Sequence, residues 1–209
     1  MHNIFATPMK TIEGEESSPL KALVVADRPE PAFGKDDLLI DVVAAGVNRA
    51  DLLQRAGKYP PPPGASPILG LEVSGTVSAR GEHVKTFVAG ERGCALLSGG
   101  GYAEQVVVPA AHVMKLPENV TFDQGAGLPE AFITAFVNLC LEGELKAGEK
   151  VLVHGGSSGV GTAAIQLGRA LGARVACTVG SEEKAAKCRE LGAERCINYK
   201  TEDFVAAGK

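Results

Sequence analysis

Short apolar runs, separated by glycine and proline, recur through the first half of the chain. Their β-branched composition is typical of strands. Pro109 ends the last of them, because a proline cannot continue a central strand. Many short strands with glycine-rich turns predict a mainly β domain that forms a partial barrel. The predicted strands are residues 23–25, 38–47, 71–77, 93–97 and 103–108.

From residue 121 the apolar spacing becomes helical, and Pro129 interrupts the first helix. Strands then alternate with helices, which predicts a parallel, doubly wound sheet with right-handed crossovers. The fold class is therefore α/β with a β-rich N-terminal domain. We expect the β domain at residues 19–120 and the α/β domain at residues 121–209. The predicted α/β elements are strands at 151–153, 174–179 and 196–199, and helices through 164–167 and at 182–191.

The N-terminal residues are polar and end in the acidic run 13–18. This composition predicts a disordered leader at residues 1–18, with ordered structure beginning at Leu20. Four consecutive prolines at residues 60–63 predict a stiff, extended loop.

Composition excludes several classes of function. The 209 residues are 45% hydrophobic and 22% charged, as in an ordinary globular protein, and the net charge of −4 argues against nucleic acid as a partner. No apolar run approaches the roughly 18 residues that cross a bilayer, and no signal-peptide core is present, so we expect no membrane partner and a cytoplasmic location. Five scattered cysteines without a C-x-x-C pair indicate reduced thiols, not a metal site.

A glycine-rich turn at residues 155–161 follows the apolar strand 151–153 and precedes a small-residue helix. Strand, glycine turn and helix in that order favour dinucleotide binding, because a new helix offers unpaired N–H groups and a positive dipole end to a pyrophosphate. We expect Gly156 and Gly159 to let the backbone approach the ligand, and Gly161 to let the helix pack on the strand. Ser158 replaces the second glycine of the strict G-x-G-x-x-G pattern, so a tight turn without a ligand remains the alternative.

Several motifs accompany the glycine turn through Val160. They are Asn-Arg-Ala-Asp at 48–51, Gln-Arg at 54–55, Gly-Lys-Tyr at 57–59, Gly-Leu-Glu-Val-Ser-Gly at 70–75 and Leu-Pro-Glu-Ala at 128–131. Together these motifs resemble the medium-chain dehydrogenase/reductases, and within them the zinc-free quinone oxidoreductase (zeta-crystallin-like) branch. The resemblance implies a GroES-like β domain, an incomplete Rossmann sheet, reduction of a quinone or another small electron-poor substrate by NADPH, and a homodimer.

The same resemblance indicates that zinc is absent. Zinc-dependent members of the superfamily carry cysteine where Asn48 stands and histidine where Leu71 stands, and neither residue here is a zinc ligand. The four-cysteine structural zinc cluster is missing too, since Cys94 is the only cysteine before Cys140. We therefore expect no metal.

NADPH is favoured over NADH as the cofactor. An NAD-preferring site carries a carboxylate about 20 residues after the glycine turn, where this chain has Ser181. The resemblance implies that Ser181, Lys184 and Tyr199 contact the 2′-phosphate of NADPH. Alternatively, Ser181 is a helix N-cap and Lys184 a solvated helix residue.

The resemblance also implies that Asn48, Tyr59 and Thr134 line the nicotinamide and substrate cleft. Their alternatives are a turn-forming asparagine, a loop anchor and a helix residue that bonds its own backbone. Quinone reduction needs little acid–base chemistry, so positioning the ring is most of the task, and we expect no certain catalytic residue.

Only ten residues follow Tyr199, so we expect the second half of a Rossmann sheet to be missing from this chain. Three hypotheses stay open on this basis. The chain is an NADPH-dependent quinone oxidoreductase, a zinc-free enoyl-thioester reductase, or a truncated non-enzymatic form that binds nucleotide weakly or acts through a partner.

Overall fold

The computed structural model describes residues 8–14 and 22–207, which form two compact units. The first unit ends at Glu130 and the second begins at Ala131, whereas the sequence placed the boundary at 120. The first unit is mainly β, and the second alternates strands with helices around a parallel sheet. The predicted fold class is therefore confirmed.

A five-stranded antiparallel sheet forms most of the first unit. Register shifts after Leu39 and Val42 mark bulges, which bend a strand and let a sheet curl. Its buried face, which includes Leu38, Ile40 and Val73, supplies the hydrophobic core. The strands lie in the order β6-β3-β4-β5-β7, with bounds β3 Asp37–Ala45, β4 Glu72–Arg80, β5 Arg92–Leu96, β6 Gln105–Pro109 and β7 Val113–Lys115.

A strand at the N-terminus corrects the prediction of a disordered leader. β1 (Met9–Gly14) pairs antiparallel with β2 (Leu23–Arg28) over all six residues. Arg28 donates from Nε to Glu13 Oε1 at 2.7 Å, and this bond holds the pKa of Glu13 down at about 2. Composition alone did not predict β1, because it becomes a strand only by pairing with β2, which is separate from it in the sequence. The remaining leader residues, 1–7 and 15–18, lie outside the described residues, as does Leu20, where ordered structure was predicted to begin.

Two short helices flank this sheet within the first unit. α1 (Arg49–Arg55) begins directly after Asn48, and the sequence pattern did not predict it. α2 (Phe122–Ala126) is capped by Thr121, whose side chain accepts from the Gln124 N–H. The boundary falls after α2 because this helix packs on β3 and β4.

The second unit contains a three-stranded parallel sheet in the order β10-β9-β8. Its strands are β8 (Lys150–Val153), β9 (Arg174–Val179) and β10 (Arg195–Asn198). α4 (Gly159–Ala170) packs on β8 and β9, and α5 (Glu182–Leu191) packs on β9 and β10, as expected of a βαβ unit.

Pro129 begins a new helix and does not kink a longer one. α3 (Pro129–Phe136) starts there, where a missing proline N–H costs no hydrogen bond, and a π-helical segment (Val137–Glu142) continues it. α6 (Phe204–Ala207) is a single turn after β10. Within the described residues, no helix combines the length and apolar character that a membrane crossing requires.

Candidate functional site

Asn48 lies between the end of β3 and the start of α1. Its backbone N–H donates to Asp51 Oδ2 at 2.7 Å, and its Nδ2 donates to Glu72 Oε1 at 2.8 Å. Because an ionised carboxylate only accepts, Glu72 fixes which end of the Asn48 amide faces it. The carbonyl oxygen of Asn48 is therefore turned away from Glu72.

Glu72, the first residue of β4, is only 3% exposed. Its second oxygen, Oε2, accepts from the backbone N–H of Glu130 at 2.8 Å. The chain at Gly46 passes so close that a Cβ there would lie 2.1 Å from Glu72 Oε1. One carboxylate thus joins the end of β3, the start of β4 and the first turn of α3.

Asp51 is a second buried carboxylate, at 2% exposure. Besides Asn48, it accepts from the Gly70 N–H at 3.2 Å and from the Tyr102 hydroxyl at 3.1 Å. We call Asp51 and Glu72 the buried acid pair. In the described part of the chain, neither forms an ion pair with a lysine or arginine, so hydrogen bonds alone offset the loss of hydration.

The buried acid pair changes the proton affinity of its neighbours. Burial, and then the charges of Glu72 and Asp51, raise the pKa of Glu130. Burial and the Asp51 carboxylate raise the pKa of the Tyr102 hydroxyl well above its ordinary value. The buried acid pair therefore makes both neighbouring groups harder to deprotonate than they would be in water.

Tyr59 and Thr134 are the other two predicted cleft residues. Tyr59 is 45% exposed and lines a groove of the first unit, where the prolines 60–61 and Leu69 form an apolar wall. Thr134 belongs to the second unit. It lies half-buried in α3, one turn before the π-helical segment, and its carbonyl accepts from Asn138 Nδ2 at 2.8 Å.

The glycine turn has the local geometry of an anion cradle. Ser158 caps α4, and its Oγ accepts from the Gly161 N–H at 3.0 Å. The first N–H groups of a helix have no partner inside it, and both Gly159 and Val160 are exposed. A Cβ on Gly159 would meet nothing within 4 Å, whereas one on Gly161 would lie 2.3 Å from the Gly155 carbonyl oxygen. Gly159 thus leaves open space for a ligand, and Gly161 permits the close packing of helix on turn.

Gly156 also has a packing role that the sequence did not predict. It is buried, and a Cβ there would lie 2.7 Å from both Cβ and Sγ of Cys177 on β9. Its N–H donates to the Thr178 carbonyl at 2.9 Å, which ties the turn to that strand. Gly156 is therefore required by strand packing, and Gly159 and Val160 form the face open to a ligand.

The ends of β9 and β10 bring Ser181 and Tyr199 into the same region. Ser181 caps α5, with its Oγ 3.4 Å from the Lys184 N–H. A Cβ on Gly180 would lie 2.5 Å from the Tyr199 hydroxyl oxygen, so Tyr199 packs directly beside the residue before Ser181. Lys184 is exposed, and within the described residues its ammonium group forms no ion pair. Two hydroxyls and one cation are thus available at this end of the sheet.

The residues present do not fit the zinc of the metal-dependent relatives. Leu71 has no donor atom and is 8% exposed, and the Asn48 amide nitrogen is committed to Glu72. Among residues 8–14 and 22–207, no three histidine, cysteine, aspartate or glutamate side chains are grouped as a metal site would require.

Sequence reasoning missed the buried acid pair and Tyr102. Glu72 and Asp51 stood inside the motifs at 70–75 and 48–51, but their pairing depends on strands and loops brought together by folding. The available signal was Glu72 between Leu71 and Val73, because an acid between apolar neighbours at the start of a strand is rarely buried unless a partner offsets the cost.

A β-rich unit followed along the chain by a glycine-turn α/β unit is the domain combination found in one class of oxidoreductases. Comparison with known proteins supports this. Residues 34–118 match the alcohol dehydrogenase GroES-like domain, and residues 159–209 match the zinc-binding dehydrogenase family. The chain is similar to quinone oxidoreductases and shares the GroES-like and Rossmann-like fold of the medium-chain dehydrogenase/reductases, an enzyme superfamily.

Three relatives illustrate the similarity. The Sus scrofa quinone oxidoreductase is 39% identical over 81% of this chain and 52% of its own length. The Escherichia coli quinone oxidoreductase complexed with NADPH has a TM-score of 0.82 at 31% identity, covering 95% of this chain and 61% of that one. The CurK enoyl reductase has a TM-score of 0.86 at 27% identity, over 95% and 62%. The chain spans about half the length of the curated quinone oxidoreductases that it matches.

Proposed function

We propose that this chain is part of an NADPH-dependent quinone oxidoreductase that works without zinc. Two features of the second unit together carry the proposal. Gly159 leaves open space at the glycine turn. The ends of β9 and β10 offer the Ser181 and Tyr199 hydroxyls and the Lys184 ammonium group, and no carboxylate stands at the end of β9. The similarity to quinone oxidoreductases, one of them complexed with NADPH, supports it.

The chain's own residues account for much of the cofactor site. The N–H groups of Gly159 and Val160, at the positive end of α4, would hold the pyrophosphate, with Ser158 fixing the turn. Ser181, Lys184 and Tyr199 would hold the 2′-phosphate. When bound, NADPH supplies the hydride.

Asn48, Tyr59 and Thr134 would position the substrate and the nicotinamide. Asn48 is held by Glu72 and offers its carbonyl oxygen to a ligand, and Tyr59 offers a partly exposed ring for stacking on a flat quinone. Such positioning is the main requirement, because an electron-poor ring accepts hydride readily once it is held close. We further propose that the enzyme acts in the cytoplasm as a homodimer.

A second candidate is a zinc-free enoyl-thioester reductase. The similarity to the CurK enoyl reductase, and a 35% identical stretch in a polyketide synthase subunit of Mycobacterium tuberculosis, favour it as the alternative. The fold and the glycine cradle suit both reactions, so the acceptor distinguishes them.

Oxidation of NADPH by the purified complete enzyme, of which this chain is the proposed part, tests the proposal. We expect this chain alone to reduce quinones far more slowly, because it would not hold the nicotinamide ring against the acceptor. We would follow absorbance with a small ortho- or para-quinone, with an enoyl thioester and with no acceptor, and repeat each with NADH. We expect oxidation with the quinone and a preference for NADPH. Turnover of the thioester alone would favour the second candidate, and cofactor binding without oxidation in any arm would favour a non-enzymatic role.

A further inference from the structure

Three of the five cysteines lie together in the core of the second unit. Cys177 on β9 and Cys196 on β10 are register partners on adjacent parallel strands. The Cys177 thiol donates to Cys196 Sγ, with 3.6 Å between the two sulfurs. Cys188 of α5 adjoins Cys177 from the helix side. No step of the proposed reaction uses these thiols.

We propose that Cys177 and Cys196 form a dithiol site that a peroxide converts to a disulfide, and that this bond disturbs the glycine turn. Neighbouring parallel strands lie about 4.8 Å apart. This spacing is within the range of about 4.4–6.8 Å between Cα atoms that disulfides accept. Rotation of the side chains can therefore bring the sulfurs together without moving the strands apart.

Cys196 is the thiol that a peroxide reaches first. It is half-buried, whereas Cys177 and Cys188 are fully buried, and burial raises the pKa of both of those thiols. The Cys196 thiolate takes one oxygen from hydrogen peroxide and hydroxide leaves, which gives a sulfenic acid. The Cys177 sulfur then attacks Cys196 Sγ, the S–S bond forms, the S–O bond breaks and water leaves. The two thiols lose two electrons and two protons, and the peroxide becomes two waters.

The consequence for the turn follows from the position of Gly156. A Cβ on Gly156 would lie 2.7 Å from Cys177 Sγ and 3.3 Å from Cys188 Sγ, so these sulfurs fill the space directly against the turn. A disulfide of about 2.05 Å closes the 3.6 Å gap between the two sulfurs, and the proposal is that Cys177 Sγ moves away from the turn to form it. The turn then loses the packing that holds Gly156, and Gly159 with it. This part of the inference rests on the proposed cofactor site.

The bond itself is tested without any assumption about function. The full chain is treated with hydrogen peroxide, quenched with an alkylating reagent and digested with trypsin without reduction. Cleavage after Arg174, Lys184, Lys187, Arg189, Arg195 and Lys200 places the three cysteines on separate peptides. We expect peptide 175–184 linked to peptide 196–200, reversed by dithiothreitol. No linkage, or a Cys177–Cys188 linkage, would overturn the proposal.

Its effect on the turn is tested by NADPH binding before and after oxidation. We expect roughly threefold or greater weakening in the wild type, restored by reduction, because loss of one packing contact is enough for such a change. Cys196→Ser should bind NADPH normally and not respond to peroxide, and Cys140→Ser, which alters a cysteine outside the cluster, should respond like the wild type. A linked protein with unchanged affinity would refute the coupling. Reduced protein that does not bind NADPH would refute the cofactor site and leave the peptide test intact.

Discussion

At the scale of single residues, the unusual feature is the buried acid pair. Removing a carboxylate from water costs several kcal/mol unless hydrogen bonds replace its hydration. Asp51 accepts from Asn48, Gly70 and Tyr102, and Glu72 accepts from Asn48 and Glu130. Asn48 bonds to both carboxylates, so the pair fixes the backbone and the side chain of this one residue.

Glu130→Gln should make stability less dependent on pH. A raised folded-state pKa means that the folded protein holds the Glu130 proton more tightly than the unfolded chain does. The stabilisation that this proton contributes is complete below the unfolded pKa, about 4.5, and is lost as pH rises through the folded pKa. Glu130→Gln does not lose stability in this way, because a glutamine side chain does not titrate. Its free energy of unfolding relative to the wild type should therefore increase between acidic and neutral pH, measured by urea denaturation.

The exposed Glu118→Gln, with no such neighbours, serves as the control and should track the wild type across the same pH range. If Glu130→Gln also tracks the wild type, the buried acid pair does not act on Glu130.

Lys184→Ala should weaken NADPH binding about tenfold or more and leave NADH binding nearly unchanged. The lysine would make a charge-assisted bond to the 2′-phosphate, worth about 1.5–3 kcal/mol. Isothermal titration with both cofactors measures the change. Lys187→Ala is the matched control, since Lys187 lies on the same helix and pairs with Glu190 at 2.8 Å. Equal loss for both cofactors would mean that Lys184 supports the fold.

At the scale of elements, the glycine turn between β8 and α4 serves two purposes at neighbouring positions. Gly161 allows the turn to pack on itself, and Gly159 leaves the ligand side open. Ser158, directly before Gly159, stabilises the helix start by accepting a hydrogen bond from the Gly161 N–H. A strict glycine pattern is therefore not needed at residue 158, because a serine cap satisfies an N–H group that a glycine would leave free.

Gly161→Ala and Gly159→Ala should separate these purposes. The first places a methyl group 2.3 Å from a backbone carbonyl oxygen, so it should lower the melting temperature and abolish NADPH binding. The second meets no atom within 4 Å and gains helix propensity of up to about 1 kcal/mol, so stability should hold or rise.

Binding should nevertheless weaken in Gly159→Ala, because its methyl group would occupy the space left for the pyrophosphate. Thermal unfolding and NADPH titration on both variants provide the measurements. Unchanged NADPH affinity in Gly159→Ala would place the pyrophosphate elsewhere.

At the scale of the whole molecule, each unit resembles a domain of a dehydrogenase. This chain nevertheless has no zinc ligand at residues 48 and 71, the two positions where the resemblance places the ligands of zinc-dependent members. Asn48 serves the buried acid pair and Leu71 packs in the core. Polarisation of a carbonyl by a metal would need a donor set that these side chains do not supply.

We accordingly predict that activity does not depend on zinc. Metal analysis of the purified protein should find far less than one zinc per chain, and dialysis against a chelator should leave quinone reduction unchanged. A chelator-sensitive activity restored by added zinc would contradict this, and a zinc alcohol dehydrogenase treated in parallel confirms that the chelator works.

The sequence by itself determined the elements whose signals are local. The strand at 174–179 and the helix at 182–191 have the predicted bounds, because β-branched composition, a serine cap and helical periodicity all lie within those segments. The glycine turn was recognisable for the same reason. Its order of strand, glycines and helix occupies one short stretch of chain.

The tertiary structure alone decided the features that depend on distant partners. β1 is a strand because β2 pairs with it, Gly156 is a glycine because Cys177 lies against it, and Glu72 is buried because Asn48 and Glu130 bond to it. No local pattern encodes such pairings, since even Gly14 and Leu23, the nearest of these partners, lie nine positions apart in the chain. They form only when folding brings separate strands and turns together. Burial then strengthens each hydrogen bond, because the interior has a low dielectric constant.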